Sequence, residues 1–266
     1  MAESRADDVS RFTWLGAEIP HLDEVAVSRC GPVIFGSFGG STTAGQTKNE
    51  DSALVWSGVD GEFAALLDAH GSADSARTVM EILDDHRSNL IALLNRGDLW
   101  ALNASIIDIL TSSSTARRFE AVRGETSLLV CARWRNYLSW LSVGDNLVYV
   151  LHPDFERLGQ VALNSRQFFE WVGASNSLSL DIPAYSQGVR ELRWGTSEII
   201  MVTDGLLEFP TSLFAEPRNV YRHFRPLSES VVLDALEAVR HAQGRDSSTV
   251  LAWSHDNDHA PLEPTA

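Results

Sequence analysis

Apolar residues along this chain recur with two different periods, and the change from one to the other outlines the fold. Short apolar runs of strand length fill residues 33–35, 52–56 and 62–67, and the Gly/Ser/Thr stretch 39–45 between the first two reads as a flexible loop. From residue 76 the spacing becomes helical. Ala76, Val79, Met80 and Leu83, followed by Leu90, Ile91 and Leu94, mark one face, and Leu99, Leu102, Ile106 and Leu110 mark another. Strand patterns return at 126–134, 137–143 and 147–151, with Arg135-Asn136 and Gly144-Asp145-Asn146 as turns, so an antiparallel meander is expected. A short helix is expected over 165–172, and strands at 189–194 and 198–203 are expected to be joined by a Gly195-Thr196 turn. Residues 228–242 read as a helix, with Ser228 as N-cap, Val231, Val232, Ala235, Leu236 and Val239 on its apolar face and Gly244 as its stop. A last strand is expected at 249–253. Strands in adjacent hairpins, with helices arriving in pairs, argue for antiparallel sheets covered by helices rather than a doubly wound fold.

Composition adds limits to this picture. The 266 residues are 44% apolar, enough for a sizeable core, and no apolar run approaches the ~20 residues needed to span a bilayer. The polar, acidic N-terminus is unlike a signal peptide, and Cys30 and Cys131 read as buried free thiols of a reducing compartment, so a cytoplasmic location is expected. Residues 1–24 read as a polar lead-in with an apolar patch near 12–15, residues 25–254 as the domain, and residues 255–266 as a disordered tail. A net charge of −15, from 21 basic and 36 acidic residues, argues against nucleic acid or an anionic membrane as partner. An anionic substrate would need metal ions to reverse the local field.

Candidate chemistry lies at the strand ends. Asp51 precedes one strand-like run, Asp68 and Asp204 follow others, and Asp246 precedes the last. Four such tips brought together would form an oxygen-only cage suited to Mg²⁺ or Mn²⁺. Asp145, between Gly144 and Asn146, reads instead as a turn former. The histidines show no metal-ligand spacing, the strand tryptophans read as core, and neither a C-x₅-R nor a G-x-S-x-G nucleophile motif is present.

Six segments follow one another in order: Asn49-Glu-Asp-Ser52, Leu67-Asp-Ala-His-Gly71, Gly124-Glu-Thr126, Val143-Gly-Asp-Asn146, Thr203-Asp-Gly-Leu206 and Asp246-Ser-Ser-Thr-Val250. Together they resemble the signature blocks of the metal-dependent protein serine/threonine phosphatases of type 2C, across roughly residues 30–254. The resemblance implies an α+β fold, an αββα sandwich of two packed antiparallel β-sheets flanked by pairs of α-helices, with two Mg²⁺ or Mn²⁺ ions at one end. It implies that Asp68 bridges both ions, that the backbone carbonyl of Ala69 is a ligand, and that Asp204 and Asp246 complete one ion. Asp51 and Glu50 would serve the other, partly through water, and His70 would be the general acid. The implied partner is a phosphorylated protein, hydrolysed at phosphoserine or phosphothreonine by activated water.

The chain departs from the pattern in several places. Ala69 and Ser72 replace glycines, and Ser247 follows Asp246 where the family usually has asparagine. Gln46, Thr47 and Lys48 stand where an arginine often grips phosphate, leaving Lys48 as the candidate phosphate-binding cation, a point charge without a bidentate fork. Ala121, beside Glu120, stands where bacterial members carry an aspartate for a third metal, and the stretch 153–173 is short for the family's flap. These departures leave two alternatives open: a weakly active or non-catalytic phosphatase-like regulator, and a hydrolase of small phosphoesters.

Overall fold

The computed structural model describes residues 9–260. One sheet contains β1 (Ser10–Leu15), β4 (Ser52–Ser57), β5 (Gly61–His70), β6 (Glu125–Trp134), β7 (Tyr137–Val143) and β10 (Ser186–Glu191) in that spatial order, and the short β9 (Val172–Gly173) pairs with β6. The second sheet runs β2 (Val25–Cys30), β3 (Val33–Phe38), β12 (Ser248–Asn257), β11 (Gly195–Val202) and β8 (Leu147–Leu151). Every pairing is antiparallel. The expected α+β architecture of two antiparallel sheets with helices is the observed one.

The two-residue period of the strands sorts the core into layers. On β5, Phe63, Ala65, Leu67 and Ala69 belong to the cluster shared with α1 (Asp74–Asp85), α2 (Arg87–Asn95), α3 (Leu99–Thr111) and α4 (Ser113–Phe119). The intervening Ala64 and Leu66 belong to the cluster shared with the second sheet. On the far side α8 (Glu229–His241) packs on β2 and β3, and α7 (Pro217–Phe224) on β8 and α8. Ser228 caps α8 as expected, its Oγ accepting from the Val231 amide at 3.2 Å. Two short helices, α5 (Pro153–Arg157) and α6 (Gly205–Glu208), complete the chain. Cys30 and Cys131 are both buried and unbridged.

Four local expectations are corrected. The meander over 126–151 breaks after β7, because β8 pairs with β11 in the other sheet, so Gly144-Asp145-Asn146 is a crossing between layers. Gly144 makes it possible, with φ at +98° and no room for a Cβ, which would lie 2.6 Å from the Ser127 Cβ. Likewise β10 and β11 are not a hairpin: one pairs with β7, the other with β12 and β8. Residues 165–171 form no helix; Phe168 and Phe169 are exposed, leaving no apolar face to dock one. Finally, part of the lead-in expected over 1–24 is built into the sheet, since β1 pairs along its length with β4. Residues 1–8 and 261–266, including half of the expected tail, lie outside the described residues, and β12 itself runs to Asn257.

Away from the candidate site, Arg133 on β6 and Glu62 on β5 form a buried two-point pair at 2.5 and 2.7 Å. Removing one partner strands the other charge. Glu62→Ala should therefore destabilise the fold by about 3–5 kcal/mol, read as a lowered urea midpoint at unchanged slope. An unmoved midpoint would show that the pair contributes nothing.

Candidate metal centre

The strand period decides where the acidic groups point. Asp68 shares the β5 face of Ala64 and Leu66, which looks toward the second sheet. Asp51 immediately precedes β4 in the same sheet, whereas Asp204 follows β11 and Asp246 lies before β12 in the other. Asp145 sits in the crossing between sheets. The gap at this end is therefore lined with carboxylates from both layers.

Close approach of the second sheet's two loops depends on Gly205. A Cβ there would lie 1.9 Å from the Ser247 carbonyl oxygen, so only glycine lets the segment after Asp204 touch the segment after Asp246. The sheets are also tied across the gap. Asp51 Oδ2 accepts from Thr203 Oγ1 at 3.1 Å and Thr249 Oγ1 at 2.6 Å, and Thr203 Oγ1 accepts from the Thr249 amide at 2.9 Å. Asp246 Oδ1 accepts from the Ser247 amide at 2.9 Å.

Asp68, Asp145 and Asp204 each offer a carboxylate oxygen within 4.8 Å of the others. Asp204 Oδ1 is buried with no hydrogen-bond partner, and a buried acceptor left unsatisfied is costly. An all-oxygen donor set with an orphaned buried carboxylate oxygen fits a hard divalent cation. Asp145, read from the sequence as a turn former, thus belongs to the cluster. Its place in Val143-Gly-Asp-Asn146 carried the signal, but its turn-like neighbours masked it.

Other residues take positions around this core. His70 stands at the rim, half exposed, with Nδ1 3.9 Å from Asp68 Oδ1. Ala69 is buried, and it is not among the residues with positive φ, so alanine meets no backbone strain where the family has glycine. Lys48 and Glu50 are engaged with one another, Nζ to Oε2 at 2.5 Å. One cation had no sequence signal. Arg166 Nη2 lies 2.7 Å from Glu208 Oε1, 3.2 Å from Asp204 Oδ2 and 3.4 Å from Asp145 Oδ2.

Burial, and then crowding, raises the carboxyl pKa values. Burial first, then Asp246 and Asp204, push Asp51 up to about 8. Burial, then Asp246 and Asp145, push Asp204 up to about 7. Asp68 is raised well above the usual range by burial and by Asp51, and Asp246 is raised mainly by burial.

The folded, metal-free chain therefore holds protons that the unfolded chain, with ordinary aspartates near ~3.9, has released. This contribution to stability is complete below about pH 4 and is lost as pH rises through about 7–8. His255 works in the opposite sense, because burial lowers its pKa to about 4. Comparison with Asp51→Asn separates the two. In chelator, the melting temperature of the unsubstituted protein should fall relative to that of Asp51→Asn between about pH 5 and 8; parallel curves would refute the shared-proton picture.

No family model matches the chain, and no curated protein matches it in sequence. Solved structures do. The serine/threonine phosphatase PstP/Ppp of Mycobacterium tuberculosis is 18% identical, with a TM-score of 0.60 over 88% of this chain and 100% of that one. The catalytic domain of PstP in complex with two manganese ions is 17% identical, with a TM-score of 0.56 over 93% of this chain and 100% of that one. RsbX in complex with magnesium is 15% identical, with a TM-score of 0.54 over 87% and 100%. Two antiparallel sheets, their helices and the acidic cluster between them thus occur here in the fold of the bacterial type 2C serine/threonine phosphatases.

Proposed function

We propose that the chain is a cytoplasmic phosphatase that hydrolyses phosphoserine and phosphothreonine in proteins with two Mg²⁺ or Mn²⁺ ions. The observation that carries this reading is the convergence of Asp68, Asp145 and Asp204 from both sheets, with Asp204 Oδ1 buried and unpartnered. Two neighbours of the same fold are named as serine/threonine phosphatases, one of them in complex with two manganese ions, and a third, RsbX, is in complex with magnesium. In this reading Asp68 and the Ala69 carbonyl would be shared ligands, Asp204 and Asp246 would hold one ion, and Asp51 and Glu50 would serve the other. Asp145 joins the set on Asp204's side.

Bound ions supply Lewis-acid neutralisation of a phosphoryl group and lower the pKa of water. The chain's own residues do the rest. The threonines fix Asp51, so its unshared oxygen has one orientation. His70, at the open rim, presents Nδ1 to Asp68, which leaves Nε2 to give a proton to the departing serine or threonine oxygen. An alkoxide needs that proton; an aryl oxide does not.

A second reading, a phosphatase-like regulator with little activity, is favoured by one observation: Lys48, the candidate phosphate grip, has its charge engaged by Glu50. Turnover of an aryl phosphate and a phosphothreonine peptide, with Mn²⁺, Mg²⁺ or chelator, separates the readings. Metal-dependent hydrolysis should fall at least about 100-fold in Asp204→Asn. His70→Gln should slow the peptide by about 10²–10⁴-fold and the aryl phosphate far less. Full activity of Asp204→Asn would end the phosphatase assignment, and metal binding without turnover would favour the regulator.

A further inference from the structure

We infer that Arg166 is a built-in competitor for the cation at Asp145 and Asp204, holding that half of the centre in the metal-free protein and yielding it when metal binds. The inference rests on the metal-site reading above. It concerns a residue that no motif of the chain points to.

Arg166 is placed by its own backbone. On one side Asn164 is clamped: its Nδ2 donates to Ser142 Oγ at 2.9 Å and to the Asn146 carbonyl at 2.8 Å, and its Oδ1 accepts from the Val148 amide at 3.0 Å. On the other side the Gln167 amide donates to the Gly144 carbonyl at 3.0 Å. Residues 164–167 are thus moored to the crossing that carries Asp145, and the guanidinium also stacks 4.6 Å over the Phe168 ring. This anchoring sends the side chain into the carboxylates rather than out to water.

The pairing it makes there is incomplete. A structural ion pair satisfies both partners, as Arg133 and Glu62 do with two bonds. Here a single nitrogen, Nη2, is shared among Glu208, Asp204 and Asp145 at 2.7–3.4 Å. Arg166 Nε and Asp204 Oδ1 are both left buried without a partner. One positive charge spread over three carboxylates relieves their repulsion without meeting their capacity. Two of those carboxylates, Asp145 and Asp204, belong to the triad that could hold an ion. Arg166 and a divalent cation are thus drawn to the same two groups and repel one another.

Glu208 completes the device. Its side chain is half exposed, and it makes the shortest of the three contacts. It can keep Arg166 when Asp145 and Asp204 turn to metal, so the exchange leaves no buried unpaired guanidinium.

The test is calorimetric titration of Mn²⁺ into chelator-stripped protein and into Arg166→Gln. The variant should bind about 10- to 100-fold more tightly, the factor that a lost charge-assisted competitor represents. Its metal-free form should melt at a lower temperature while its Mn²⁺-saturated form melts as the unsubstituted protein does. Equal or weaker binding by the variant, with the unsubstituted protein binding normally, overturns the inference. Absence of binding by both proteins overturns the metal-site reading along with it. If Arg166→Gln does not fold, hydrogen exchange on the unsubstituted protein decides. Saturation with Mn²⁺ should speed exchange in residues 165–170 even as β5 and β11 become protected, and slower or unchanged exchange there counts against the competitor.

Discussion

Mutual repulsion of carboxylates in a buried gap is the constraint around which this protein is organised. Asp51, Asp68 and Asp204 are nearly inaccessible to water, and Asp145 and Asp246 stand close enough to raise the proton affinity of the others. Such a group is tolerable only where the rest of the molecule is stable enough to absorb the cost and where protons, a guanidinium or metal can offset it. The fold supplies stability from elsewhere: two cores, one between the sheets and one beneath α1–α4, and a satisfied ion pair at the opposite end of β5. The acid-lined gap and the satisfied ion pair thus occupy different ends of β5.

The same separation explains which residues are small and which are hydroxylic. Gly205 lets two acid-bearing loops touch, Gly144 lets the chain change sheets within a few residues, and Thr203 and Thr249 tie an aspartate of one sheet to the strands of the other. None of these contributes much to a core. Each sets how closely the acid-bearing segments approach one another.

Much of this was legible in the sequence, for physical reasons that also mark where legibility stops. Strands at 137–143 and 147–151 were readable because they are short, nearly continuously buried runs bounded by turn residues, and Asp68 and Asp204 because they end such runs. The partner of each strand was not readable. Gly144-Asp145-Asn146 has the composition of a hairpin turn and serves as a crossing, and the difference lies in which sheet offers β8 a free edge. That misreading concealed Asp145, since a turn former and a ligand look alike until the turn is placed. Arg166 was hidden more deeply. It stands in an irregular segment, and what aims it is a set of backbone and amide contacts made by Asn164 and Gln167 to residues about 20 positions earlier. Helix α4 was missed because it is only seven residues long, and strand β2 because it is only partly buried.

Because the acids come from both layers, part of their cost exists only once the two sheets are docked. Within single sheets Asp51 already repels Asp68 and Asp246 repels Asp204; docking of the two sheets face to face adds the repulsion between Asp68 and Asp204. Whatever neutralises the gap favours docked sheets over separated ones, so occupancy of the cleft weighs on whether the two layers stay together.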